Sequence, residues 1–261
     1  SLEISGNSCF YINYGTGTEL LSNADGATIT KTGTGTSYIY WDVINDGDLK
    51  VEEGALSVNS DVHGSGAVGV AAGATLTVNS NTFQTHTLVL DAEGIFDFNG
   101  NRLEVVDFIG DFSQDRGIFA PGASPAISTL DGDYTMTGSA ILEIELGGIE
   151  SGEYDQLLVS GDVVLTRGSL LVSLVDDFTL STNEYFLILA MDGTLTGTFY
   201  GLDEGDLVGI YDSMELFITY TAGNGNDIAL YTTVSAVPIP GALWLLASGV
   251  LAIAGLKRRK N

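Results

Sequence analysis

The chain is poor in positive charge. Its 261 residues carry 9 Lys and Arg against 34 Asp and Glu, a formal charge of −25. Phosphate recognition runs on clustered Lys and Arg, so nucleic-acid binding is excluded as a function. A single cysteine, Cys9, rules out an internal disulfide, and stability has to come from packing and strand pairing. Two histidines, His63 and His86, stand far apart with no Cys or carboxylate at metal-ligand spacing. That argues against a zinc site and leaves both as expected solvent-facing turn residues. Only 16% of residues are charged, whereas 44% are hydrophobic, so a core can form and a disordered chain is not expected.

Glycine is abundant, with 34 copies, and Thr, Val and Leu are frequent while helix-type composition is sparse. Many short strands joined by tight turns are the expected result. The charge is also unevenly placed. Four of the nine bases are Lys257, Arg258, Arg259 and Lys260, and no acid follows Asp227, so residues 1–236 hold a charge of −29. The chain begins at Ser1 rather than Met, from which we expect a preceding segment, such as a signal peptide, to have been removed.

An internal repeat is visible in the first half. Leu56-Ser57-Val58-Asn59, Leu76-Thr77-Val78-Asn79 and Phe96-Asp97-Phe98-Asn99 follow one another at 20-residue spacing. Before each lies a second apolar pair: Leu49 and Val51, Val68 and Val70, Leu88 and Leu90. Such a period predicts a solenoid with two strands per coil, in which each coil buries its apolar stripe only against its neighbours. Asn59, Asn79 and Asn99 should then stack at one corner, where Asn tolerates a left-handed backbone, with Gly54, Gly73 and Gly94 at the tight corners before the second strand. An up-and-down antiparallel sheet is the alternative. The hairpin pairs it needs are few, Asp46-Gly47 and Asn99-Gly100 being the main ones near strand ends in this half, and the equal spacing favours coils.

At the other end, residues 241–256 contain no charge, and as a helix residues 237–256 would reach roughly 30 Å, the thickness of a hydrocarbon core. The basic cluster Lys257 to Lys260 directly after it predicts a cytoplasmic end, with the acidic bulk outside. Val237-Pro238-Ile239-Pro240, an apolar helix with Trp244 and the small pair Ser248-Gly249, and a terminal basic cluster together resemble the PEP-CTERM sorting segment of bacterial envelope proteins. Ile239 stands where that family's eponymous glutamate would be. The resemblance implies recognition and cleavage near the proline motif by an exosortase, a membrane protease-transpeptidase, and association with exopolysaccharide or biofilm.

The second half resembles another group. Ala120-Pro121-Gly122-Ala123-Ser124-Pro125, Leu130 to Thr135, Leu142 to Leu146, Tyr154 to Gly161, Leu195 to Phe199 and Ile218 to Asp227 look, in that order, like the C-terminal passenger region of autotransporter-type surface proteins. In those proteins the region is a right-handed parallel β-helix. Ala126 departs from the usual Pro-Gly-x-Ser-Pro-Gly start. The expected architecture is therefore all-β: coils over 1–119, a passenger-like β-helix region over 120–233, and a sorting tail over 234–261 with a single transmembrane helix at 241–256.

Chemistry is harder to find. No nucleophile elbow or phosphate loop is present, and an enzyme is not expected. The alternative is a β-helix polysaccharide lyase or glycoside hydrolase, but the acids single out no pair, and Lys31, Lys50, Arg102, Arg116 and Arg167 are scattered. Ala222-Gly223-Asn224-Gly225-Asn226-Asp227 approaches a calcium repeat, making Asn224, Asn226 and Asp227 candidate ligands, although one imperfect copy reads better as a loop. Acid groups at Asp42, Asp46, Asp48, Glu52 and Glu53, or at Asp203, Glu204 and Asp206, could hold calcium loosely; no other cofactor is expected. Tyr38, Tyr40 and Trp41 are candidate sugar-stacking residues, with Tyr38 and Tyr40 on one strand face and Ile39 and Trp41 on the other. The expected function is an exported structural or adhesive protein of the cell surface or extracellular matrix, held first in the inner membrane. Its expected partners are an exosortase-type protease and exopolysaccharide.

Overall fold

A computed structural model describes residues 1–10, 20–122 and 125–233. Within them the chain is all-β, and nearly every pairing is parallel. Parallel neighbours cannot be joined by a tight hairpin, so each strand pairs with one a full circuit later in the sequence. Val68 faces Leu49 on one side and Leu88 on the other, and Leu76 lies between Leu56 and Phe96. These are the partners the 20-residue spacing predicts, and the pairing is consistent with a β-helix solenoid.

Each early coil has three walls rather than the expected two strands. The first wall stacks Thr28–Thr32, Asp48–Val51, Ala67–Val70 and the end of Thr82–Leu90; the second stacks Thr36–Ile39, Ala55–Val58, Thr75–Val78 and Ile95–Asp97. The third comprises Leu20–Asn23, Asp42–Asn45, Val62–His63 and the start of Thr82–Leu90. It left no repeat in the sequence, because one copy is only two residues long and another runs straight into the first wall. His63 and His86 consequently sit on strands, exposed, and not in turns.

The alternating pattern sends Leu49, Val51, Leu56, Val58, Val68, Val70, Leu76 and Val78 into one continuous core, each at most 1% exposed. Burying such side chains contributes about 1.5–3 kcal/mol apiece, which is the main force holding coil on coil. Farther along, an aromatic column fills the interior: Phe108 against Phe112 at 4.7 Å between ring centroids, then Phe112 against Phe119 and Tyr134 at 5.4 and 5.7 Å. One inward position of the first wall is charged. Lys31, paired in register with Ile4 and Val51, is fully buried, and its ammonium donates to the carbonyls of Thr32, Gly33 and Glu53. All three of its protons are satisfied by backbone at one corner, and it makes no ion pair among the described residues.

Corner geometry differs in part from expectation. Gly54 and Gly73 adopt positive φ, but at the third repeat Glu93 takes the left-handed conformation (φ 70°) and Gly94 does not. Gly94 is required there for space, since a Cβ would stand 2.9 Å from the Val70 carbonyl oxygen. Of the three ladder asparagines, only Asn99 is left-handed (φ 53°).

Parallel winding continues into the second half as Ile127–Asp131, Gln156–Val159 and the end of Tyr185–Met191, but it does not run to 233. After Leu195–Gly197 the strands Leu207–Tyr211, Met214–Ala222 and Asp227–Thr232 pair antiparallel with one another and with Tyr185–Met191. The turn at Asp212-Ser213 has positive φ at both residues, which suits a two-residue hairpin without the Asn-Gly signature that would have announced it. No helix of the described residues is long and apolar enough to cross a membrane. The sorting tail, with Val237, Pro238, Ile239, Pro240, Trp244, Ser248, Gly249 and Lys257 to Lys260, lies outside the described residues.

Candidate functional site

The outward face of the second wall is the most organised surface among the sequence candidates. Because strand side chains alternate, the residues between the buried Leu56 and Val58, and between Leu76 and Val78, point away from the core, although Ser57 is itself only 8% exposed because the Asn59 and Asn79 amides cover its hydroxyl. Register then lines up Tyr38, Ser57, Thr77 and Asp97 in one column. Beside it runs the asparagine column, beginning with Asn59 on the coil after Tyr40. Asn79 donates its side-chain amide to the Asn59 side-chain oxygen at 3.0 Å, and Asn99 donates to Asn79 at 2.9 Å. At about 4.8 Å between strands, three coils give a flat polar strip roughly 10 Å long.

Tyr38 and Tyr40 cap this strip. Both are exposed, 39% and 41%, and their rings lie nearly parallel with centroids 6.3 Å apart. Ile39 is fully buried and Trp41 packs against the core from a half-buried position. The structure thus brings Tyr38 and Tyr40 together outside and places Trp41 apart from them, as a core-side residue. Exposed aromatic faces held by a rigid sheet, next to amides and hydroxyls, are suited to the apolar face and hydroxyl rim of a sugar.

The loop with Asn224, Asn226 and Asp227 is occupied by internal bonds. Both Asp227 carboxylate oxygens accept backbone amides, from Met191 at 3.0 Å and Asn224 at 3.3 Å, while the Asn226 amide donates to the Gly193 carbonyl at 2.6 Å. These contacts tie the hairpin to the last coil. The acid groups are similarly engaged: Asp46 accepts the Ser65 amide, Glu53 the Gly33 amide, Glu204 the Tyr220 amide and Asp206 the Asp203 amide. No group of three or more metal-ligating side chains is assembled among the described residues.

Sequence reasoning missed a second use of acids. Asp111 accepts the Asp133 amide, Asp133 the Asp162 amide, and Asp162 the Thr194 amide and hydroxyl, so one carboxylate per coil ties a corner to the next coil. The Thr194 bonds hold the exposed Asp162 carboxyl below its usual pKa. The signal was the series Gly110-Asp111, Gly132-Asp133, Gly161-Asp162 and Gly193-Thr194, hidden by its unequal spacing.

It also missed a charged row on the third wall. Arg102 lies between Glu104, at 2.6 Å, and Glu143, and both carboxylates are bound to the one guanidinium. Burial works to lower the Arg102 pKa, but the two carboxylates outweigh it and the net shift is upward. Next to them Glu145 is pushed up, first by burial and then by Glu143. Asp155, 1% exposed, accepts the backbone amides of Ala126 at 2.7 Å and Glu145 at 2.8 Å. Burial drives its pKa up to about 7, against the pull of those two amides. Of the five bases in residues 1–236, Lys31 and Arg102 are therefore structural, while Lys50 pairs with Asp48 and Arg116 with Asp97 at the surface.

No family model matches the chain, and no curated protein matches it.

Proposed function

We propose that the protein is an exported structural or adhesive component of a bacterial surface or matrix, a right-handed parallel β-helix whose second wall contacts exopolysaccharide. The observation that carries this reading is the exposed, near-parallel Tyr38 and Tyr40 pair at the head of the Asn59, Asn79, Asn99 ladder. A right-handed winding follows from the strong handedness preference of parallel crossovers. Calcium, if bound, would act by screening the acidic surface.

The reading extends to the tail. On this reading the uncharged, apolar run 241–256 would serve as the single membrane anchor that holds the protein in the inner membrane until an exosortase-type protease cuts near Val237 to Pro240, with Lys257 to Lys260 in the cytoplasm.

Two experiments test the proposal. Tyr38→Ala with Tyr40→Ala should weaken retention on secreted polysaccharide by roughly tenfold, at unchanged thermal stability, because both rings are outside the core. Undiminished retention would remove the second wall as the contact surface. Mass spectrometry of the mature extracellular protein should find a C-terminus near Pro240; an intact Lys260 would overturn the sorting pathway.

A further inference from the structure

Gly69 lies mid-strand on the first wall with no structural need to be glycine. Its φ is ordinary, and a Cβ there would meet only the Lys50 side chain, at 4.0 Å. Every other described glycine has either a positive φ or a neighbour within 3.2 Å of that Cβ. Glycine in a strand interior costs stability relative to alanine, and often marks a place where a ligand comes close to the backbone.

The surroundings show what it leaves open. The strand Ala67–Val70 and the residue after it present Ala67, Gly69 and Ala71 outward, so this coil has almost no side-chain bulk. Its neighbours do: Asp48, Lys50 and Glu52 on one coil, Val89 and Asp91 on the other. The result is a groove of about 300 Å³ running along the strand, with an apolar floor and one apolar wall at Val89. Its rim is mainly acidic. Lys50 is paired with Asp48 at 3.2 Å, and Glu52 and Asp91 have no ion-pair partner among the described residues.

We infer that this groove is a docking site for one extended strand of a cationic amino-sugar polymer. The apolar floor would meet the C–H face of the sugar rings, and Glu52 and Asp91 would pair with ammonium groups along the chain edge. A −29 ectodomain repels anionic uronate polymers and attracts a cationic one over a Debye length, so the same charge selects the partner class. This inference rests on reading the protein as a glycan-contacting surface component, but places the contact on a different wall from Tyr38 and Tyr40.

The test uses the full ectodomain with three hexameric probes in mildly acidic buffer, where glucosamine amines are protonated and ordinary carboxylates remain ionised. The probes are fully de-N-acetylated glucosamine, its N-acetylated counterpart, and lysine of equal charge. Binding of the cationic saccharide is expected to weaken roughly tenfold in Gly69→Leu, which fills the groove, and in Glu52→Gln with Asp91→Asn, which keeps its shape. Tyr38→Ala with Tyr40→Ala should leave that binding unchanged. Lysine hexamer binding as tightly as the saccharide, or Gly69→Leu binding like the parent, would overturn the inference. Loss on the tyrosine variant alone would place the contact on the second wall and also overturn it. Retention of the N-acetylated probe that only the tyrosine variant abolishes reports on the second wall separately.

Discussion

Asn79 donates its side-chain amide to the side-chain oxygen of Asn59 across one coil, at 3.0 Å. A buried counterpart stands at another corner, where Asn23 donates to Asn45 at 2.7 Å and Asn45 donates to the Ala67 carbonyl at 3.0 Å. Asn79 is exposed, whereas Asn23 and Asn45 are 3% and 2% exposed.

The two ladders should respond differently to the same truncation. Asn79→Ala is expected to cost about 1 kcal/mol, because water can replace the lost partners. Asn45→Ala leaves buried groups unpaired and is expected to cost about 2–3 kcal/mol. Urea midpoints at unchanged slope measure both. Equal losses would show that burial does not decide the matter.

Two glycines make a second contrast. A Cβ at Gly193 would stand 2.4 Å from the Gly161 carbonyl oxygen, so Gly193→Ala must push coils apart and should cost about 3 kcal/mol. Gly69→Ala makes only an ordinary van der Waals contact with the Lys50 side chain, at 4.0 Å, and should stabilise by about 0.5–1 kcal/mol. Thermal unfolding of the pair checks both signs.

Lys31→Met keeps the volume but removes the ammonium from three buried-corner carbonyls. A loss of about 3 kcal/mol is expected, since hydrogen bonds to a charged group are the stronger kind. A variant as stable as the parent would mean that the carbonyls are well served by water.

Asp155 sets a pH dependence of defined sign. With its folded pKa raised to about 7, the folded state holds a proton that the unfolded chain has already released. Its contribution to stability is therefore full below the unfolded carboxylate range near pH 4 and falls as pH rises to about 7. Denaturant unfolding should show the parent more stable at pH 5 than at pH 8, with the difference reduced in Asp155→Asn. An unchanged pH profile in that variant would assign the effect to the other acids, Glu145 first.

Much of the first half was legible. The spacing of Leu56, Leu76 and Phe96 became the strand register, and Asn59, Asn79 and Asn99 became a ladder, because equal coil lengths put equal residues at equal places. The alternation at Tyr38-Ile39-Tyr40-Trp41 likewise told outward from inward, as a period of two must. The third wall was not legible, since Val62–His63 is too short to carry a pattern. Nor was the corner series Asp111, Asp133, Asp162: its coils have unequal lengths, and identical atoms meet in space without recurring at a fixed interval.

The sequence by itself determined which residues are inside and that coils stack, because hydrophobic periodicity and repeat length are local properties of the chain. Only the tertiary structure decided what the polar residues do. It put Lys31 in the core, set two glutamates on Arg102, turned many acids into acceptors for the next coil and left Gly69 at the floor of an open groove. Those outcomes depend on which groups meet across neighbouring coils, and a charge count contains no information about distance.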